Sequence, residues 1–250
     1  MASPSPSPSP PPPPKEPSTT TVVTKTTNSR LIVLDSLIRL DTSLSKSLHT
    51  LFHPFLPGPI LLLLEYSADF RLSFPVCLSL LFVPWSSNLR FPFLLPLIVG
   101  LLVDLSLIGL IKFVFRRSRP HYNPNMSAVV SVDHFSFPSG HASRVFYLAS
   151  FISLSAATIQ EALTDFRPPG GVFGMLIGED EGKFVASVVL GVWAWAAVTS
   201  TSRVLLGRHF VLDVLAGVFV GVLEGPLGKQ LHALNLYHLI TTAAVLQSPE

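Results

Sequence analysis

Long apolar stretches alternate with short polar connections along most of the chain. A helix needs about 20 mainly apolar residues to cross a bilayer. Five stretches are candidates for such spans, namely residues 70–85, 91–115, 142–163, 184–202 and 210–228. The first is short, and residues 58–69 either extend it or form a separate helix. The pattern predicts an all-α fold, a polytopic membrane helix bundle of about five spans, or six if the region before residue 70 contributes one.

Residues 31–52 show a different pattern, with apolar residues at helical spacing and Asp, Arg and Lys between them. This spacing predicts an amphipathic helix that leads into the bundle, and we assign it to residues 31–56. Two placements are open. The helix lies in the membrane interface, or it packs on the protein's own surface.

The two ends of the chain lie outside the bundle, which we assign to residues 57–232. Residues 1–30 are rich in Pro, Ser and Thr and lack the apolar core of a signal peptide, which predicts a disordered tail. Their shortage of acidic residues leaves an organellar transit peptide as the alternative. Residues 233–250 form a C-terminal tail.

Composition supports a membrane protein. Of the 250 residues 48% are hydrophobic and 13% charged, whereas soluble domains have roughly 25% charged residues. The net charge of +2, without a basic run, argues against a nucleic-acid partner. The single cysteine excludes an intramolecular disulfide and a cysteine-built zinc site.

The order of the spans places two polar connections on one face of the membrane. The second span ends near residue 115 and the third begins near residue 141, so residues 116–140 lie on that face. The third span crosses away and the fourth returns, which brings residues 203–209 to the same face. Side chains from the two connections are therefore expected to converge.

These connections carry cations and backbone donors suited to a phosphate. Lys112, Arg119 and Arg203 are costly at membrane depth, and such residues indicate function. Arginine matches phosphate oxygens in a bidentate way, and lysine adds a point charge. Ser139 and Gly140 form a turn that opens a helix and presents N–H groups to an anion. We predict a phosphate pocket.

Two histidines in the same connections fit a nucleophile and an acid. His209 and Asp213 are four residues apart, so on a helix the carboxylate can accept a hydrogen bond from the ring and fix its tautomer. An imidazole oriented in this way is a credible nucleophile for phosphorus. His141 would then protonate the leaving oxygen as a general acid.

The three segments resemble the signature of the type 2 phosphatidic acid phosphatase (PAP2) superfamily. The signature K-x6-R-P fits Lys112 to Pro120, P-S-G-H fits Pro138 to His141, and S-R-x5-H-x3-D fits Ser202 to Asp213. The resemblance covers roughly residues 60–230. Within the superfamily the chain is similar to the plant beta-type lipid phosphate phosphatases and the polyisoprenoid diphosphate phosphatases.

The resemblance implies a PAP2/haloperoxidase-like core and an integral membrane hydrolase that removes phosphate from phosphatidic acid-like or isoprenoid (di)phosphate lipids. It assigns a phosphohistidine to His209, an orienting role to Asp213 and acid catalysis to His141. It assigns phosphate binding to Lys112, Arg119, Ser139, Gly140 and Arg203, with no metal ion and no cofactor.

The expected partners are a phosphorylated lipid and the bilayer, and the expected location is the endoplasmic reticulum or, alternatively, a plastid membrane. A lipid phosphotransferase and a non-catalytic membrane protein that binds anionic lipids are the competing interpretations.

Four further polar residues have structural interpretations. Arg116 and Arg117 either widen a positive funnel or anchor the end of the second span, and we favour the anchor. Asp104 and Glu224 lie inside spans and match no motif, which favours interior hydrogen bonding over a direct role.

With five spans, the cations of residues 25–46 lie on the same face of the membrane as the site, and the positive charge on that face favours a cytosolic orientation. A sixth span would place these cations on the opposite face from the site.

Overall fold

The computed structural model describes residues 29–55, 57–82, 90–122, 134–165 and 180–233. These ranges contain eight α-helices: α1 (Ser29–Phe52), α2 (Gly58–Ser67), α3 (Phe70–Leu80), α4 (Leu95–Phe115), α5 (Gly140–Leu154), α6 (Ala156–Asp165), α7 (Glu181–Leu205) and α8 (Val211–Ala233). A 3₁₀ turn follows α1 and a π-helical turn precedes α4. Extended pairing within the same ranges is limited to one bridge between Ser118 and Phe135. The predicted all-α bundle is confirmed, while most of both predicted tails lies outside the described residues.

Within the described ranges, three helices are long and apolar enough to cross a membrane, at Pro92–Phe115, Glu181–Leu205 and Val211–Gln230. They coincide with three of the predicted spans. The predicted span at residues 142–163 is a pair of helices, α5 and α6, bent by 59°. The helices α2 and α3 have 10 and 11 residues, and each is about half as long as a bilayer core of roughly 30 Å requires. Whether they cross together as a fifth span stays a prediction.

Large apolar side chains cover the outside of the long helices. Leu110 on α4, Leu190 on α7 and Phe219 on α8 are 60%, 72% and 65% exposed. Such a surface is unfavourable in water, and lipid tails solvate it readily. The outward-facing side chains therefore mark the lipid-contacting surface of an integral membrane protein.

Among the described residues, the most extensive helix packing joins α8 to α5. Gly217, Gly221 and Gly225 repeat every fourth residue along α8 and face α5. A methyl group added at Gly217 or Gly221 would overlap the backbone carbonyl oxygen of Ser139 or Ser143. Small residues at this spacing let two membrane helices approach backbone to backbone. This contact holds the start of α5 against the start of α8.

A buried ion pair connects α4 to α5. Arg144 Nη2 lies 3.2 Å from Asp104 Oδ2, and both side chains are almost fully buried. Glu224 of α8 is buried beside them and interacts electrostatically with both. Arg144 also donates a hydrogen bond to the carbonyl of Ala68, in the break between α2 and α3. Asp104 therefore forms an interior ion pair, where the sequence predicted interior hydrogen bonding.

The first helix presents opposite chemistry on its two sides. Asp41 and Ser45 are buried against the bundle, whereas Leu37, Leu40 and Leu44 are exposed. The packing of this helix on the protein's own surface is thus confirmed, through its polar side. Its apolar side faces away from the protein, and contact of that side with the membrane interface stays a prediction.

Candidate active site

Four helix ends meet at one end of the bundle. Lys112 lies in the last turn of α4 and Arg203 in the last turn of α7, while His141 and Asp213 lie in the first turns of α5 and α8. The two helix starts are joined directly, because the backbone N–H of Ser139 donates to the carbonyl of Asp213 at 2.9 Å. The two connections that were expected to converge therefore do meet.

A tight turn after α7 places His209 beside the end of that helix. The carbonyl of Arg203 accepts hydrogen bonds from the backbone N–H groups of Arg208 and His209 at 2.9 and 3.2 Å. Gly207 makes the turn with a φ of 65°, a conformation that glycine adopts without steric cost. The turn thereby fixes the spacing between Arg203 and His209 that the motif requires.

The imidazole of His209 is buried, with 1% exposure. Its Nδ1 lies 2.8 Å from the carbonyl oxygen of Ser136 and 3.7 Å from Asp213 Oδ2. A carbonyl only accepts, so Nδ1 is the protonated nitrogen in this contact and Nε2 keeps its lone pair. The closer partner of the ring is thus the Ser136 carbonyl, and not the Asp213 carboxylate that the sequence suggested.

Asp213 is fully buried and holds the start of α8 in place. Its Oδ2 accepts a hydrogen bond from the backbone N–H of Phe210 at 2.9 Å, as a residue at the third helical position does in a capping box. Its Oδ1 accepts a hydrogen bond from Arg117 Nη1 at 2.7 Å. In this structure Asp213 contacts the segment that carries His209 more closely than it contacts the ring itself.

Three cations surround His209. Burial lowers the pKa of His209 well below its ordinary value, and the charges of Arg119, Arg203 and Lys112 lower it further. The imidazole is therefore neutral at physiological pH, as a nucleophile must be. Lys112 and Arg203 are 4% and 2% exposed, and Arg119 Nη1 donates to the carbonyl of Arg208 at 3.1 Å.

The turn before α5 presents His141 to the same space. Ser139 is the N-cap, and its hydroxyl accepts a 3.4 Å hydrogen bond from the backbone N–H of Ala142. Gly140 and His141 form the first turn, after a cis peptide bond between Phe137 and Pro138. His141 interacts electrostatically with Arg203, His209 and Lys112, and its buried Nε2 has no hydrogen-bond partner among the described residues. This nitrogen is free to exchange a proton with a bound molecule.

Sequence reasoning missed two charged contributors to the site. Glu65 of α2 pairs with Arg203 through Nη1 and Nη2, both at 3.3 Å, and lies 3.7 Å from Arg208 Nη2. Arg117, interpreted as a helix anchor, instead binds Asp213. A carboxylate inside the apolar run "ILLLLEY" was a usable signal for Glu65, whereas nothing in the sequence pairs residue 117 with residue 213.

The site also differs from a metal centre in its composition. Across the described ranges, no group of three or more His, Cys, Asp or Glu residues has the arrangement needed to hold a metal ion. The charges that lower the pKa of His209, those of Arg119, Arg203 and Lys112, are all cationic. The residues present are therefore suited to an anion.

Comparison with known proteins places these residues in a family. The model of the PAP2 superfamily matches residues 93–235, which include all three motifs. A curated relative from Arabidopsis thaliana, "Probable lipid phosphate phosphatase beta", is 48% identical over 211 residues, covering 83% of this chain and 91% of the relative. A solved structure, the transmembrane PAP2-type phosphatidylglycerolphosphate phosphatase from Bacillus subtilis, has the same fold with a TM-score of 0.56. It is 20% identical, and the match covers 79% of this chain and 87% of that one. The chain belongs to the PAP2 superfamily.

Proposed function

We propose that this protein is an integral membrane lipid phosphate phosphatase that works through a phosphohistidine without a metal ion. The observation that carries the proposal is the convergence of a buried histidine, three cations and a second histidine at one end of a bundle of apolar helices. Family membership and the name of the Arabidopsis relative support the same activity.

Binding of the phosphate group is the first step. Lys112, Arg119 and Arg203 neutralise the oxygens, and the backbone at Ser139 and Gly140 adds donors at the positive end of the α5 dipole. These groups are fixed before substrate arrives. They therefore stabilise the charge that grows in the transition state without reorganisation.

Phosphoryl transfer follows in two displacements. Nε2 of His209 attacks phosphorus, the bond from phosphorus to the lipid oxygen breaks, and its electron pair goes to that oxygen. His141 donates a proton to the leaving oxygen. Water then attacks the phosphohistidine while His141 takes its proton, the P–N bond breaks, and inorganic phosphate leaves with the imidazole restored.

The substrate class is a lipid with an exposed phosphate or diphosphate, either phosphatidic acid-like or isoprenoid. The apolar outer surface of the bundle supports a lipid that stays in the bilayer while its head group reaches the site. We assign catalysis to residues 57–232. We place the protein in the endoplasmic reticulum, with a plastid membrane as the alternative that a fluorescent fusion distinguishes.

Phosphate release from purified protein tests the proposal. The full chain in detergent, with a chelator present, is expected to release phosphate from phosphatidic acid, farnesyl diphosphate or presqualene diphosphate. Folded protein that releases phosphate from none of them would contradict the proposal. His209→Ala should abolish turnover because the nucleophile is lost. His121→Ala, a change at an exposed histidine near the site in sequence, should leave turnover unchanged.

The acid role of His141 has a separate test. Loss of a general acid costs about 10²- to 10⁴-fold in rate when the leaving group needs a proton. His141→Ala should therefore slow phosphatidic acid far more than p-nitrophenyl phosphate, whose leaving group departs as a stable anion. Equal slowing of both substrates would assign His141 to phosphate binding instead.

A further inference from the structure

Three polar side chains of α1 reach the segment that carries His209. Asp41, Ser45 and His49 follow one another at four-residue spacing, so they share one side of the helix. Nδ1 of His49 lies 2.7 Å from the carbonyl oxygen of Leu205, at the end of α7. The other two side chains contact the start of α8. The polar side of α1 therefore bridges the turn that holds the proposed nucleophile.

Asp41 and Ser45 satisfy backbone donors that α8 cannot satisfy itself. The first N–H groups of a helix lack partners within the helix. Here the N–H of Val211 donates to Ser45 Oγ at 2.9 Å, and the N–H of Leu212 donates to Asp41 Oδ1 at 3.0 Å. The start of α8 is thus capped from a helix about 170 residues earlier in the chain.

Arg117 connects Asp41 to Asp213. Its Nη2 lies 2.6 Å from Asp41 Oδ2 and its Nη1 lies 2.7 Å from Asp213 Oδ1. The guanidinium also stacks on the ring of Phe210, at 4.1 Å from the ring centroid. Both carboxylates are almost fully buried, so they depend on this guanidinium for compensation of their charge.

We propose that α1 is part of the catalytic apparatus, with Asp41 and Arg117 as positioning residues for His209. They fix the Asp213 carboxylate and the first turn of α8, and thereby the direction in which Nε2 of His209 points. The inference rests on the proposed phosphatase function. It extends the site beyond the residues of the three motifs, to a helix whose placement, in the membrane interface or on the protein's own surface, the sequence leaves open.

Kinetics of matched variants test the inference on the full chain in detergent. Asp41→Asn keeps the shape of the side chain and removes its charge. Misplacement of a reacting group costs up to about 100-fold in rate, so we expect kcat to fall roughly 10- to 100-fold with little change in KM. Asp35→Asn, at an exposed carboxylate six residues earlier on the same helix, should match the wild type.

Arg117 permits a stricter test, because its loss leaves two buried carboxylates without their shared cation. Arg117→Gln should lower kcat at least as far as Asp41→Asn, while Arg116→Gln, at the exposed neighbour, should not. If the two residues act as one unit, the double variant Asp41→Asn/Arg117→Gln should be no slower than Arg117→Gln alone.

Oxyanion binding separates positioning from a loss of folding. Orthovanadate accepts a bond from an aligned imidazole nitrogen, whereas orthophosphate tests only the cationic pocket. In Asp41→Asn, calorimetric titration should show weaker vanadate binding and unchanged phosphate binding. If Asp41→Asn weakens vanadate and phosphate binding equally and also lowers the unfolding temperature, α1 stabilises the fold and does not position His209.

The outcomes also distinguish this inference from the function on which it rests. If the wild type hydrolyses lipid phosphates and Asp41→Asn behaves like Asp35→Asn, the inference is wrong and the function stands. If the wild type neither hydrolyses them nor binds vanadate, both are wrong.

Discussion

At the scale of single residues, the protonation of His209 decides whether it can act. Because burial and three cations lower its pKa below the ordinary value of about 6.5, the folded state holds the free base as the pH falls through that value. Below about 6.5 the unfolded state binds a proton at this residue that the folded state does not bind, so the stability falls as the pH drops from that value toward the lower pKa of the folded state. NMR titration of ¹³C-histidine-labelled protein, with His209→Gln for assignment, should give a midpoint below 6.5. A midpoint at or above that value would contradict the electrostatics described.

The positive charge of Arg119 contributes to the lowering of the His209 pKa. Arg119→Gln removes one of the three charges near His209, so the NMR midpoint should move upward in this variant. Arg116→Gln removes an exposed charge from the same segment and should leave the midpoint in place. An unchanged midpoint in Arg119→Gln would mean that the charge of Arg119 does not contribute to the lowered pKa of His209.

Glu65 is a second residue whose role can be measured. Its carboxylate holds both terminal nitrogens of the Arg203 guanidinium and so fixes the plane of that group, which we propose binds the phosphate. Loss of a charged hydrogen-bond partner costs on the order of 1 kcal/mol at a partly exposed position, so Glu65→Gln should raise KM roughly 5- to 10-fold with a smaller change in kcat. Glu161→Gln, at an exposed carboxylate on α6, serves as the control. A lowered KM would show instead that Glu65 competes with phosphate for Arg203.

The residues of the three motifs were predictable from the sequence because chemistry fixes their types and spacing. The partner of His209 Nδ1 was not, since the Ser136 contact uses a backbone carbonyl that any residue has. Arg117 and Asp41 were missed for another reason. They are 76 residues apart and match no local pattern, so only the fold brings them together.

At the scale of elements, the spacing between α5 and α8 depends on the glycines of α8. A methyl group at Gly221 would meet the backbone carbonyl of Ser143, which cannot move aside without shifting a helix. Gly221→Ala should therefore lower the unfolding temperature in detergent and weaken activity, since α5 also carries His141 and begins at its N-cap Ser139. Gly191→Ala is the matched control, because nothing lies within 4 Å of its added methyl group. Equal unfolding temperatures for the two variants would contradict the close packing.

Three spanning helices follow the apolar pattern closely, because the bilayer sets both their length and their composition. The break between α5 and α6 was not predicted, since the apolar pattern runs through Ser155 without interruption. The orientation of α1 was likewise undetermined. An amphipathic helix normally buries its apolar side, whereas α1 buries its polar side because the start of α8 offers it unsatisfied N–H groups.

At the scale of the whole molecule, the position of α1 restricts the number of spans. Its residues Asp41 and Ser45 contact the start of α8, so α1 lies at the same end of the bundle as the site. The next long helix, α4, runs toward that end, because Lys112 lies in its last turn. We therefore expect the chain between α1 and α4 to cross the membrane an odd number of times. One crossing by α2 and α3 together gives the predicted five spans.

Cysteine labelling tests this arrangement, and the chain suits it because Cys77 is its single cysteine. In a Cys77→Ala background, Arg39→Cys on α1 and Arg116→Cys after α4 lie at the site end, and Lys183→Cys at the start of α7 lies at the other. The side chains of Arg39 and Lys183 are 79% and 85% exposed, so substitution there should not disturb packing. In sealed vesicles, a membrane-impermeant maleimide should reach Arg39→Cys and Arg116→Cys from one side and Lys183→Cys only from the other. Labelling of Arg39→Cys and Arg116→Cys from opposite sides would require an even number of crossings between them. The contacts of Asp41 with Arg117 and Leu212 would then be impossible in the membrane.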